Sequence, residues 1–207
     1  MPTWEIEDKA RLAGHQWICG CDEAGAGPLA GPVYAAAVVL PRDTSFPGLD
    51  DSKKLTVKRR ETLYDEIIAK ALAWAVAAVG PEEIDEIDIL NARMLAMERA
   101  IGQLDPAADY ALVDGNRDHG SRVAITIPHE TVVKGDSRSV SVAAASVLAK
   151  VSRDRYMEEM AAQYPQYRFE KHKGYGTKLH YQMLDTYGPS PIHRRSFLAK
   201  WEAKRRG

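Results

Sequence analysis

The stretch WICGCDEAGAGPLAGPVYAAAVVL, Trp17 to Leu40, decides the fold. Trp17 to Cys21 reads as a strand that ends at Asp22-Glu23. Ala24 to Pro32 holds three glycines and two prolines, too many for regular structure. Val33 to Leu40 is β-branched and apolar on both faces, as in a strand covered by helices on both sides. Successive side chains of a strand point to opposite faces, so Asp22 and Glu23 can serve one site only where the strand stops being regular. The glycine-rich segment supplies that irregularity at once.

Working outward, Val57 to Lys70 is predicted as a helix capped by Thr56, with Val57, Tyr64, Ile67 and Ile68 on one face. Ala71 to Val79 is a third buried strand. Leu90, Met94, Met97 and Ile101 recur at helical spacing in Asp88 to Gln103. Tyr110 to Val113 is a short strand stopping at Asp114-Gly115. Val123 to Ile127 and Thr131 to Val133 make a further strand around Pro128, an edge or bulge at that point. From Ser137 onward the pattern is helical: Ser139 to Gln163, Thr177 to Tyr187 and Ser196 to Arg205. The expectation is an α/β domain spanning 1–207, a mixed sheet with a helical C-terminal extension over about 164–207.

The chain has 207 residues, 45% hydrophobic and 28% charged, the composition of a globular protein. No apolar run reaches the roughly 18 residues of a membrane span, and the acidic N-terminus lacks signal-peptide character. Cys19 and Cys21 share one stretch, which excludes a disulfide framework and fits a reducing cytoplasm. The net charge of −1 conceals an asymmetry. Residues 134–207 carry 15 Lys or Arg against 7 Asp or Glu, and the rest of the chain is correspondingly acidic. Such a split can hold a polyanion on one side and cations on the other.

The candidate chemistry lies in acids at element ends: Asp22 and Glu23, Asp114, and Asp136 before the long helix. Each also has a plain structural reading: a solvated strand end, a turn pair, a helix cap. Two carboxylates about 4 Å apart repel by roughly 4 kcal/mol at an effective dielectric near 20. Four can therefore converge only around cations, and hard oxygen ligands select Mg²⁺ or Mn²⁺ over zinc. Gly25 to Gly31 is not a dinucleotide fingerprint, because its third glycine is displaced and a strand follows. No phosphate loop, zinc spacing or His-Glu-x-x-His pattern is present.

Six blocks in order then give the sequence a close resemblance to bacterial ribonuclease HII, the type 2 ribonuclease H, from about Trp17 to Trp201. They are Asp22 to Val33, Asp51-Ser52-Lys53-Lys54-Leu55, Val113-Asp114-Gly115-Asn116, Lys134-Gly135-Asp136, Ala143 to Lys150, and His172 to Thr177. The resemblance implies a ribonuclease H-like α/β fold, a mixed five-stranded sheet flanked by helices with a helical C-terminal extension. It implies that Asp22, Glu23, Asp114 and Asp136 are the catalytic metal ligands for two divalent ions, Mg²⁺ or Mn²⁺. The implied activity is cleavage of the RNA strand of RNA–DNA hybrids, and of duplex DNA on the 5′ side of embedded ribonucleotides, leaving 3′-OH and 5′-phosphate.

The same resemblance assigns reading of the 2′-hydroxyl to Gly25-Ala26-Gly27 and Tyr175. Ala26 stands where the family carries arginine, so main-chain groups are left to carry that contact. Lys53, Lys54, Lys134, Lys150, Arg153, His172 and Lys173 are expected around the site as phosphate ligands. The expected partner is nucleic acid, with no membrane, and the chain is expected to act as a monomer. Two other readings stay open on the residues: a different carboxylate–metal nuclease on the same fold, and a binding module with idle acids.

Overall fold

The computed structural model describes residues 1–206; Gly207, the last residue of the expected C-terminal extension, lies outside them. Five strands form one mixed sheet: β1 (Ile18–Ala24), β2 (Val33–Val39), β3 (Ala73–Val79), β4 (Tyr110–Asp114) and β5 (His129–Val132). Their order is β3-β2-β1-β4-β5. β2 runs antiparallel to β1 and β3, whereas β1, β4 and β5 are mutually parallel. The helices are α1 (Glu5–Leu12), α2 (Val57–Lys70), α3 (Pro81–Ile87), α4 (Ile89–Gly102), α5 (Val140–Gln163), α6 (Phe169–His172), α7 (Lys178–Tyr187) and α8 (Arg195–Arg206).

Strand alternation builds two cores. Cys19, Cys21, Ala35, Ala37, Ala111 and Val113 face α4, where they meet Ala92, Ala96 and Met97. Ala36 and Val38 face the other way, onto Leu63 and Ile67 of α2 and Ala144 and Leu148 of α5. The small residues of β2 let helices close on the sheet from both sides.

Several expectations are corrected. β1 does not stop at Asp22-Glu23 but continues to Ala24, because Asp22, Glu23 and Ala24 stay in register with Ala36, Ala35 and Tyr34. β3 is an edge strand: Ala73, Ala75 and Ala77 are buried against the α4 side, while on the other face Val76 is half-buried against the second core and Trp74 is 41% exposed. Val57 is exposed, and α2 buries Arg60, Leu63 and Ile67 instead. Residues 123–127 form no strand. The Asn91 side chain accepts from the amides of Arg122 and Val123, at 2.8 and 3.2 Å, and holds that segment as a loop.

Helices α1, α3 and α6 were not anticipated, each being eight residues or fewer. Glu7 of α1 is buried at the start of α5, where its Oε1 accepts from Ser139 Oγ (2.6 Å), Ser141 N (2.9 Å) and Ser141 Oγ (2.7 Å). The carboxylate satisfies buried donors and favours the positive end of the helix. Glu7→Ala is expected to destabilise the fold by about 2–4 kcal/mol, read by urea unfolding, since it strands those donors in a dry site. A loss below ~1 kcal/mol would show that water replaces the carboxylate there.

The helical C-terminal part is built around the glycine-rich segment. Leu29 N donates to Gly174 O and Gly31 N to Ile192 O, both at 2.8 Å, and Arg194 N donates to Leu29 O at 2.9 Å. Leu29 packs with Leu184 and Leu198. Gly174 has φ +85°, and a Cβ there would lie 2.5 Å from Ala30 O, so only glycine fits. No helix among the described residues is long and apolar enough to cross a membrane.

Candidate active site

β1 and β4 run parallel with Cys21 opposite Val113, so Asp22 and Asp114 emerge side by side at the carboxyl ends of the two central strands. Ligand sites of open α/β sheets form at such strand ends. Asp136 arrives on a short 3₁₀ turn, Gly135–Ser137, just before α5. That turn is tied to the sheet by Asp114, whose Oδ1 accepts from Gly135 N at 2.7 Å and Asp136 N at 3.4 Å. One carboxylate oxygen from each of Asp22, Asp114 and Asp136 lies within 4.8 Å of the others.

These groups are crowded, with Asp22 and Asp136 buried and Asp114 half-buried. Burial, then the charges of Glu23 and Asp114, push the Asp22 carboxyl well above the usual range. Burial and Asp114 raise Asp136 as well. Lys53 Nζ approaches Asp136 Oδ2 at 4.0 Å, on a side chain that is 78% exposed and so screened by water. Burial opposes its charge, yet the field of Asp22, Asp51 and Asp136 holds the Lys53 ammonium above its ordinary value. The cluster is an all-oxygen donor set with an excess of negative charge, which suits a hard divalent cation.

Glu23 stands apart from the three aspartates. Because β1 stays regular, Glu23 points to the α4 face, where Arg93 Nη2 meets its Oε1 at 2.5 Å. Burial raises its pKa and Arg93 opposes that rise. Its Oε2 and Arg93 Nε are both buried without a hydrogen-bond partner. Glu23 and Asp22 nevertheless line one cavity of about 440 Å³, together with Gly25, Ala26, Gly27, Lys53, Lys150 and Tyr175.

The other expected contacts are distributed unevenly. Lys150 bonds Asp154 at 2.6 Å, Lys54 bonds Asp50 at 3.1 Å, and Lys173 bonds Glu158 at 2.9 Å. Lys134 is an exposed left-handed residue, φ +56°, outside the cavity lining. Arg153 and His172 are buried: Arg153 donates to Pro32 O and Ala30 O, and His172 Nδ1 accepts from Gly174 N at 3.2 Å. Both support the cavity wall from behind. Tyr175 is 44% exposed at the cavity.

Sequence reading missed Arg93, Arg194, Arg60 and a histidine cluster. Arg60 holds Ser52 O (2.9 Å) and Leu55 O (2.6 Å), fixing the backbone that carries Lys53. His172 and His180 stack with ring centroids 4.3 Å apart. His180 Nε2 meets His193 Nε2 at 2.9 Å, and its Nδ1 reaches Tyr175 O at 3.0 Å. Burial pushes His180 down to about 4 and His193 down to about 3. Depressed histidine values mean that the unfolded chain takes up protons first. The stability they confer is complete above about pH 6.5 and is lost as acid is added toward pH 4, by about 1.4 kcal/mol per pH unit per histidine. Urea unfolding between pH 6.5 and 4.5 should show a shallower pH slope in His193→Gln than in the native chain. Equal slopes would mean that these rings do not titrate on unfolding.

The family model of ribonuclease HII matches residues 19–200. Similar relatives include the ribonuclease HII of Caldicellulosiruptor bescii, 53% identical over 195 residues, which cover 94% of this chain and 93% of the relative. That of Dechloromonas aromatica is 54% identical over 180 residues, 87% of this chain and 90% of the relative. Among solved structures, the ribonuclease H2 of Pyrococcus horikoshii superposes with a TM-score of 0.76 at 27% identity, covering 92% of this chain and 99% of that one. A mixed five-stranded sheet with clustered acids at its central strand ends thus defines a ribonuclease H-like hydrolase. Within that class the chain belongs to the ribonuclease HII family, endonucleases that degrade the RNA of RNA–DNA hybrids. Ribonucleases H work with divalent metal ions, and the acid cluster fits such an ion.

Proposed function

We propose that this enzyme also cuts duplex DNA on the 5′ side of single embedded ribonucleotides, leaving 3′-OH and 5′-phosphate. Asp22, Asp114 and Asp136 would hold two divalent ions, Mg²⁺ or Mn²⁺, and Glu23, which opens on the same cavity as Asp22, would join them by exchanging Arg93 for an ion. The observation that carries the reading is the convergence of three carboxylate oxygens within 4.8 Å; Lys53 and Lys54, whose charges oppose that of Asp136, are both exposed and screened by water. Bound there, divalent ions acidify the attacking water and neutralise charge on the leaving oxygen.

The chain's own residues do the rest. Asp114 orders the Asp136 turn by accepting from Gly135 N and Asp136 N, so one carboxylate oxygen places two acids. The Gly25-Ala26-Gly27 main chain, free of bulky side chains, lets a ribose approach closely enough to bond its 2′-hydroxyl, which is both donor and acceptor. Tyr175 Cε1 lies 4.0 Å from where a Cβ at Gly27 would stand, so ring and loop form the two walls of one slot. Lys53 and Lys150 line the same cavity and supply positive charge for flanking phosphates. The helical part belongs to the same unit as the rest of the fold, since Ala30 packs with Met157 of α5 together with Tyr167, Phe169 and Ile192, and Leu29 with Leu184 and Leu198.

The test is a DNA duplex with one embedded ribonucleotide, its cuts mapped to the nucleotide with and without Mg²⁺ or Mn²⁺. A single metal-dependent cut 5′ to the ribonucleotide, and none in the all-DNA duplex, is expected. Cleavage of hybrids alone would overturn the reading.

A further inference from the structure

We propose that Arg194, with Arg153 beside it, is a positioning residue for substrate recognition. Its guanidinium draws the carbonyls of the glycine-rich loop inward, turns the loop amides toward the cavity, and places positive charge directly beneath them. The inference rests on the reading that Gly25-Ala26-Gly27 contacts substrate.

Arg194 is fully buried and spends its fork on three carbonyls: Nε to Gly31 O (2.9 Å), Nη1 to Ala26 O (2.9 Å) and Nη2 to Gly25 O (2.6 Å). Arg153, 1% exposed and reaching in from α5, takes Pro32 O (3.2 Å) and Ala30 O (3.1 Å). Five carbonyls of one short segment are thus engaged from below by two planar donors, a geometry no ammonium can copy. The loop is shaped to match. Gly25 and Gly31 have φ +92° and +85°, and a Cβ on Gly25 would run into the Arg153 side chain. The amides of Gly25, Ala26 and Gly27 donate to no other group among the described residues, while Leu29 and Gly31 donate inward.

The electrostatics point the same way. Among the described residues neither arginine lies within ion-pair distance of a carboxylate. Arg153 Nη1 is buried with no partner at all. Two buried cations held by carbonyl dipoles and by aromatic faces (Arg194 over Phe197 at 5.1 Å, Arg153 over Tyr175 at 5.7 Å), with no counter-charge at ion-pair distance, are a standing cost to the fold, one that apolar side chains of similar size would avoid. An anion resting against the loop's outward amides would offset that charge, and substrate phosphodiester is the anion this cavity admits. Ala26 lacks the side-chain cation that the family resemblance leads one to expect; Arg194 supplies one a single peptide below, through the Ala26 carbonyl itself.

The experiment compares Arg194→Lys, Arg194→Met and Ala26→Asp in the full chain. The probes are a 12-base-pair RNA–DNA hybrid and the DNA duplex of the same sequence. Steady-state cleavage is measured in Mg²⁺, and equilibrium binding in EDTA. Arg194→Lys is expected to stay folded with kcat within about threefold, KM raised at least about tenfold, and the hybrid-to-DNA affinity ratio collapsed toward one. Arg194→Met should raise KM further. Unchanged KM and affinity ratio in Arg194→Lys would overturn the inference. So would loss of kcat and melting temperature at constant KM, or failure of both variants to fold, either of which makes the arginine scaffold only. Ala26→Asp separates the two ideas: if it too leaves KM unchanged, the loop does not touch substrate; if it raises KM while Arg194→Lys does not, only the positioning role fails.

Discussion

Asp22→Asn is expected to fold as the native chain does and to lose hydrolysis of an RNA–DNA hybrid in Mg²⁺ by at least about two decades. The substitution keeps the size of the side chain and the oxygen that accepts from Glu23 N at 2.7 Å. What it removes is one negative charge from a cluster whose members lie within 4.8 Å of one another. At an effective dielectric near 20, each such neighbour repels by roughly 4 kcal/mol, so the unloaded variant should melt at the same temperature or higher. Stability gained and turnover lost in the same variant is the signature of a site that holds repulsion for a purpose. Asp114→Asn should behave alike in turnover, yet it also weakens the acceptor that orders Gly135 and Asp136. Near-normal turnover of either folded variant would remove the aspartates from the chemistry.

Glu23 qualifies how far a sequence can be read at such a site. Its place in Asp22-Glu23 marks it as a candidate, and the family blocks reinforce that. The pairing of β1 with β2 then carries strand geometry through Ala24, one residue past Glu23, so the two acids leave the sheet on opposite faces. Asp114 and Asp136 were legible because each ends or begins an element. Their convergence was not, since it depends on the parallel pairing of β1 with β4 across about 90 residues of sequence. The two strands around the glycine loop and helix α2 were readable from periodicity and cap chemistry, and Thr56 accepts from Arg59 N as expected; α5, by contrast, is capped by Ser139, which accepts from Val142 N, and not by Asp136. Arg93, Arg153 and Arg194 were misread or missed for one reason. Arginine reads as surface in a linear pattern, and only tertiary packing shows which ones are buried on carbonyls or on a carboxylate.

Gly20→Ala should cost at least about 3–4 kcal/mol, enough to leave little folded enzyme. Gly20 lies in the middle of β1, where glycine's conformational freedom is of no use, and its φ is not in the left-handed region. The requirement is purely spatial. A Cβ at this position would stand 2.1 Å from the Ser141 carbonyl carbon and 2.3 Å from Val142 N. Both are backbone atoms in the first turn of α5, so no rotamer change relieves the clash; the helix or the strand must move. That contact sets how closely α5 sits on the sheet, and with it the height of Asp136, which precedes the helix, over Asp22, two residues along β1 from Gly20. Gly102→Ala is the matched control, because a Cβ added there, at the end of α4, would have nothing within 4 Å. It should be neutral or slightly stabilising, by up to about 1 kcal/mol. Urea midpoints of the two variants against the native chain decide the matter: a Gly20→Ala protein as stable as Gly102→Ala would mean that α5 can lift off β1 without loss, and that the acid cluster is not set by this contact.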